Sequence, residues 1–99
     1  MPRFARVMST GIKKEVMDEA IAEWRVHLAP YRKSGMEKAI MLVDRATGQY
    51  LSVTIWESED AQKNNVSSPE QTRGREAMTK KYFTSPPVPS TFEVAAVIE

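Results

Sequence analysis

The sequence contains no cysteine, so it can build neither a disulfide framework nor a thiolate metal site, and it offers no thiol nucleophile. It contains one histidine, His27, and no spaced set of histidines and carboxylates of the kind that holds zinc or calcium, so no metal is expected. Its four glycines stand singly, which leaves no glycine-rich loop to cradle a phosphate. No apolar run approaches the roughly 18 residues of a membrane span, and Arg3 and Arg6 interrupt the first residues where a signal core would lie. A cytoplasmic location with no membrane contact is the resulting expectation. The net charge of +1 removes the electrostatic case for nucleic acid as a partner.

What is present is ordinary for a globular chain: 41% hydrophobic and 27% charged residues. A length of 99 residues leaves room for one hydrophobic core, so 1–99 is read as a single domain.

The stretch Tyr50-Leu-Ser-Val-Thr-Ile-Trp-Glu-Ser-Glu-Asp-Ala61 is the best marked. Leu51, Val53 and Ile55 alternate with Ser52, Thr54 and Trp56, the period of a half-buried strand. Ser58 then offers a hydroxyl to cap a helix whose first turn carries Glu59 and Asp60, which suit the positive end of the helix dipole.

Around it the pattern predicts a first strand over residues 3–9, broken at Thr10-Gly11, then a helix from 13 to about 28. The apolar stripe of that helix is Val16, Ala20, Trp24, His27 and Tyr31, flanked by Met17, Ile21 and Leu28, and Pro30 helps to end it. A second strand spans 36–44, and the polar Asp44-Arg-Ala-Thr-Gly48 reads as a hairpin loop. The helix begun at Ser58 should fray near Asn64-Asn65, and Ser68-Pro69 opens another reaching about residue 82. Pro86, Pro87 and Pro89 form a stiff connector to a last strand over 91–98.

The order β-α-β-β-α(α)-β commonly closes into the ferredoxin-like α+β arrangement, a four-stranded antiparallel sheet with helices on one face. The second and fourth strands carry apolar residues on both faces, whereas helices can cover only one. The other face needs a cover, and a second copy of the chain is the simplest: a homodimer through sheet faces is expected.

The segments Phe4-Ala5-Arg6-Val7, Leu42-Val43-Asp44-Arg45 with Gly48, Val53-Thr54-Ile55-Trp56-Glu57-Ser58-Glu59-Asp60-Ala61 and Phe92-Glu93-Val94 make the chain resemble the antibiotic biosynthesis monooxygenase-like family of the dimeric α+β barrel superfamily. The resemblance covers nearly the whole chain, and its specific part is the Trp-Glu-Ser segment. It implies a small dimer with a pocket between helices and sheet in each protomer. It further implies a monooxygenase working without metal or organic cofactor on a planar aromatic or quinone-type molecule, whose own anion reduces oxygen. The alternative is a non-catalytic homodimeric small-molecule-binding or interaction module of the same fold. The heme-degrading branch of the family needs an asparagine, a tryptophan and a histidine near positions where this chain has Arg6, Asn65 or Val66, and Arg75 or Glu76. Heme degradation is therefore not expected.

The residues able to line such a pocket are Trp24, Tyr31, Trp56 and Met41, where an apolar stripe serves as core first and pocket wall second. Candidates for chemistry are His27 as a general base, Asn64 and Asn65 as hydrogen-bond donors to an enolate-like oxygen, and Tyr82 or Tyr50 as donors to a phenolate. Each has an ordinary structural role as well: a helix-flank histidine, helix-ending asparagines, surface tyrosines. A His27–Glu23 acid–base pair, one turn apart on the first helix, would instead suit an isomerase or decarboxylase.

Overall fold

The computed structural model describes residues 2–99. Its four strands are β1 (Phe4–Gly11), β2 (Met36–Val43), β3 (Gln49–Trp56) and β4 (Val88–Glu93), and its α-helices are α1 (Met17–Leu28), α2 (Glu59–Val66) and α3 (Pro69–Lys81). The sheet order is β2-β3-β1-β4 with every neighbouring pair antiparallel, the ferredoxin-like topology.

Local chemistry sets the boundaries. In the β2–β3 hairpin the Asp44 carboxylate accepts from the Ala46 and Thr47 amides at 2.9 and 3.3 Å, and Gly48 takes a φ of 83° that a side chain would resist. Ser58 Oγ accepts from the Ala61 amide at 3.1 Å and Ser68 Oγ from the Gln71 amide at 3.2 Å, so both helices open on the serine caps expected of them. Each end of α1 tightens into a 3-10 turn, Lys14–Val16 before it and Ala29–Ser34 after it, the second containing Pro30.

Two strand boundaries differ from expectation. Strand β1 runs through Thr10 and Gly11, which pair with Tyr50 and Gln49, because a register with β3 is available there. The last strand is Val88–Glu93 instead of 91–98. It pairs with residues 4–9 of β1, and beyond it the Val94 amide donates to the Arg3 carbonyl at 2.8 Å. Pro89, expected in the connector, lies inside this strand. Strand β4 is the sheet edge, where a missing N–H is tolerated.

Cross-strand pairs define the two faces. On the helix side lie Tyr50, Ser52, Thr54 and Trp56 of β3, all buried, with Thr10, Met8, Arg6 and Phe4 opposite them on β1. On the open side lie the largely apolar rows Leu42–Leu51–Ser9–Val88 and Ile40–Val53–Val7–Ser90, and the row Lys38–Ile55–Ala5–Phe92, which carries a lysine at its β2 end. The aliphatic set of β3, Leu51, Val53 and Ile55, thus faces away from the helices, and the hydroxyl-bearing and aromatic set faces them. Ile40, Leu42, Phe92 and Val88 are 42%, 48%, 55% and 63% exposed.

Two clusters make up the core on the helix side. One gathers Ile12, Met17, Ala20, Tyr50, Met78, Tyr82 and Phe83; Tyr50 and Phe83 stack with centroids 5.1 Å apart. The other gathers Leu28, Tyr31, Met36 and Trp56, and Trp24 packs against both. Trp56 is 1% exposed, so its truncation to alanine would remove about 3–5 kcal/mol.

Candidate functional site

Between α1, α3 and the sheet runs a cleft with about 50 Å3 of free interior, opening into a depression of about 540 Å3 that includes its solvent-facing mouth. The floor is the helix-facing side of β1 and β3: Arg6, Met8, Ser52, Thr54 and Trp56. Trp24 and His27 of α1 form one wall, and Gln71, Arg75 and Met78 of α3 the other. Among the described residues no carboxylate lines it.

The polar groups of the floor hold the two indoles. Trp24 Nε1 donates to Ser52 Oγ at 3.0 Å, and Trp56 Nε1 donates to Thr54 Oγ1 at 2.9 Å, whose hydroxyl bonds the Arg6 carbonyl at 3.4 Å. Small hydroxyl residues on the buried side of β3 thus satisfy large aromatic donors, which an all-apolar strand face would leave unpaired.

His27 is set by a relay. Gln71 Nε2 donates to Asn65 Oδ1 at 2.8 Å, which turns Gln71 Oε1 toward His27 Nε2, also at 2.8 Å. In that arrangement Nε2 carries the proton and Nδ1 keeps a lone pair. The ring lies against Gly74 so closely that a Cβ built there would overlap it, and it meets Tyr31 edge-on at 5.6 Å. Burial holds the His27 pKa below its ordinary value; the Gln71 bond works against that shift and the Arg75 charge adds to it. The imidazole is thereby kept neutral at physiological pH.

Two guanidinium groups reach the mouth. Arg6 comes from the middle of β1, between Thr54 and Thr91, and Arg75 from α3. Burial and the neighbouring Arg75 charge both lower the Arg6 pKa. Tyr50, on the same side of the sheet, is pushed up to about 12 mainly by burial and stays a neutral phenol.

Of the residues singled out from sequence, Trp24, Trp56, His27 and Tyr50 meet in this cleft. Tyr31 is buried beside Trp56 in the second core cluster, and Met41 lies in a separate groove with Ile21 and Ala39. Asn64 is exposed on α2, away from the cleft, while Asn65 stands behind His27 as the anchor of Gln71. Tyr82 donates to Glu23 Oε1 at 3.0 Å, outside the cleft. The His27–Glu23 pair does not form, because Glu23 is turned to Tyr82 and to Lys81 Nζ at 3.4 Å. Arg6, Met8, Ser52, Thr54, Gln71 and Arg75 were absent from the sequence-derived set. The available signal was Arg6 itself, a cation at mid-strand within an alternating segment.

The whole arrangement can be compared with solved structures. SnoaB, a cofactor-independent oxygenase from Streptomyces nogalater, superposes with a TM-score of 0.75 at 13% identity over 99% of this chain and 98% of its own. Rv0793 from Mycobacterium tuberculosis does so with a TM-score of 0.74 at 15% identity, over 98% and 97%. A structure named antibiotic biosynthesis monooxygenase gives 0.70 at 15% identity, over 96% and 99%. The chain has the fold of the antibiotic biosynthesis monooxygenases. No family model matches its sequence, and no curated protein sequence does. Identity this low carries the backbone architecture across, and a fold of this kind hosts more than one activity.

Proposed function

We propose that the protein is a cofactor-independent monooxygenase-like enzyme that takes a planar aromatic or quinone-type molecule into the cleft between α1, α3 and the sheet. The observation that carries the reading is the cleft itself: Trp24, Trp56 and Met8 supply flat and polarisable apolar surface, while His27, Ser52, Thr54 and Arg75 converge on the same space. A bound phenol would lose its proton, and its anion would pass one electron to oxygen. Recombination gives a carbon hydroperoxide, and loss of water leaves a carbonyl. One phenol and one O2 thereby become one quinone and one water. In such a sequence the protein contributes positioning, a dry environment and positive charge near the anion. His27 Nδ1 is the unprotonated nitrogen in the wall and the candidate proton acceptor.

The fold resemblance to SnoaB, a cofactor-independent oxygenase, supports this reading. Oxygen-electrode traces with a panel of hydroxylated polycyclics test it. One O2 consumed per substrate, with the rate unchanged by a chelator, is expected; no uptake with any of them contradicts it.

A second reading, a non-catalytic binder of small molecules, is favoured by one measurement. The enclosed space of about 50 Å3 is small beside the few hundred Å3 of typical ligand pockets. Binding without turnover separates the two. In both, the assembly proposed is a homodimer through the open sheet face, since Ile40, Leu42, Val53 and Phe92 form a continuous apolar surface there.

A further inference from the structure

Arg75 Nη1 is, among the described residues, the buried side-chain polar atom without a hydrogen-bond partner. Its Nη2 reaches only the Thr72 hydroxyl, at 3.5 Å. Arg6 uses Nε on the Met8 sulfur at 3.2 Å, a weak acceptor, and makes no ion pair among the described residues. Both guanidinium groups line the same cleft, in which no aspartate or glutamate stands. The ion pairs that do form lie outside the cleft: Arg3 with Glu37, Arg45 with Asp18, Lys63 with Glu59 and Lys81 with Glu23. Two like charges left together, partly desolvated and without a carboxylate, are costly in the empty protein and relieved by an anion.

We infer that the cleft binds an aromatic acid, its carboxylate held between Arg6 and Arg75 and its ring against Trp24 and Met8. A carboxylate matches the guanidinium fork in two-bond geometry, and a turn of the Arg75 side chain would bring its shielded, unpartnered Nη1 to it. The enclosed volume of about 50 Å3 is too small to hold a whole aromatic ring, so the ring seats largely in the open mouth. Arg6 and Arg75 also line the neighbouring outer groove, with Met8, Pro87, Lys80 and the exposed Glu76, so the pair stands where a ligand enters and Glu76 is the nearest carboxylate on that side. The inference deepens the proposed function by naming a ligand class, and it rests on the cleft being a ligand site, with no dependence on the oxygen chemistry.

The test is isothermal titration with 1-hydroxy-2-naphthoate and its neutral carboxamide, on the wild-type chain, Arg75→Met, Arg6→Met and the outward-facing control Arg73→Met. The acid is expected to bind at least tenfold more tightly than the amide. Arg75→Met and Arg6→Met should each weaken the acid at least tenfold and leave the amide unchanged, and Arg73→Met should change neither. Arg75→Lys, which keeps the charge and loses the fork, should fall between wild type and Arg75→Met. Equal binding of acid and amide, binding of neither, an equal effect of Arg73→Met, or displacement of the acid by inorganic phosphate at equal concentration would each overturn the inference. Acid-selective binding without oxygen uptake keeps it and removes the oxygenase reading. Oxygen uptake indifferent to substrate charge and to Arg75 does the reverse.

Discussion

The His27 ring lies where a Cβ on residue 74 would have to be, so Gly74 and His27 are complementary surfaces of two packed helices. Glycine in the interior of α3 costs about 1 kcal/mol of helix stability relative to alanine, yet here it lets α3 close on the imidazole and place Gln71 at 2.8 Å from Nε2.

Gly74→Ala is therefore expected to destabilise the protein, by about 1–2 kcal/mol net of the helix gain, because His27 must swing away and release Gln71. In a His27→Ala background the same substitution should become stabilising by about 0.5–1 kcal/mol. Chemical denaturation of the four members of this cycle measures the coupling, and additivity would exclude the contact as its cause.

Arg75→Met should stabilise the empty protein. It removes a buried donor that has no acceptor and keeps the apolar stem against the cleft, a gain of about 1 kcal/mol. In a domain of this size that corresponds to roughly 4–8 °C in Tm. Calorimetry of both chains without ligand decides it, and a fall in Tm would mean that Arg75 already has a partner.

The pH dependence follows from His27. Its folded-state pKa lies below the ordinary 6.5, chiefly through burial. As pH falls below that value the unfolded chain takes up a proton that the folded one resists. The His27 contribution is thus fully present above about pH 6.5 and is lost as pH drops toward the folded pKa. The groups acting on the ring are the Arg75 charge, which adds to the effect, and the Gln71 oxygen, which opposes it. Thermal melts from pH 8 to pH 5 should show a steeper decline for wild type than for His27→Gln. Parallel curves would remove His27 as the source.

On the open side, Val53 sits at the centre of the row Ile40–Val53–Val7–Ser90. Val53→Asp should convert a dimer into a monomer in light scattering while leaving the far-ultraviolet dichroism unchanged. A wild-type chain already monomeric at tens of micromolar would contradict the sheet-to-sheet assembly.

The architecture was legible because it is written in local signals. Ser58 and Ser68 cap helices, Gly48 turns a hairpin, and residues 50–56 alternate, all from chemistry within a few positions. The site was less legible, because alternation does not say which face meets the helices. A one-residue choice of face moves every side chain across the sheet. The Leu51-Val53-Ile55 set looks like core, yet the helices cover Ser52, Thr54 and Trp56, and with them Met8 and Arg6. Arg6 is thereby placed in the cleft. Gln71 and Arg75 lie on a helix whose apolar content is thin, which the close approach at Gly74 and the packing of Met78 on Met17 and Ala20 bring against α1. The last strand shifted for a related reason: residues 88–93 lie beside residues 4–9 of β1, whereas among the described residues those after Val94 are paired with no strand.

The most direct test of the cleft as a ligand site uses the two tryptophans, the only indoles in the sequence. Both Nε1–H groups are fixed by hydroxyls of the floor, Trp24 on Ser52 and Trp56 on Thr54. In a two-dimensional 1H–15N spectrum, titration with 1-hydroxy-2-naphthoate should move the Trp24 indole resonance strongly and the Trp56 resonance measurably. Both should saturate along one binding isotherm. Indole resonances that stay in place while the ligand binds, or while oxygen is consumed, would put the ligand elsewhere and contradict the assignment of the cleft.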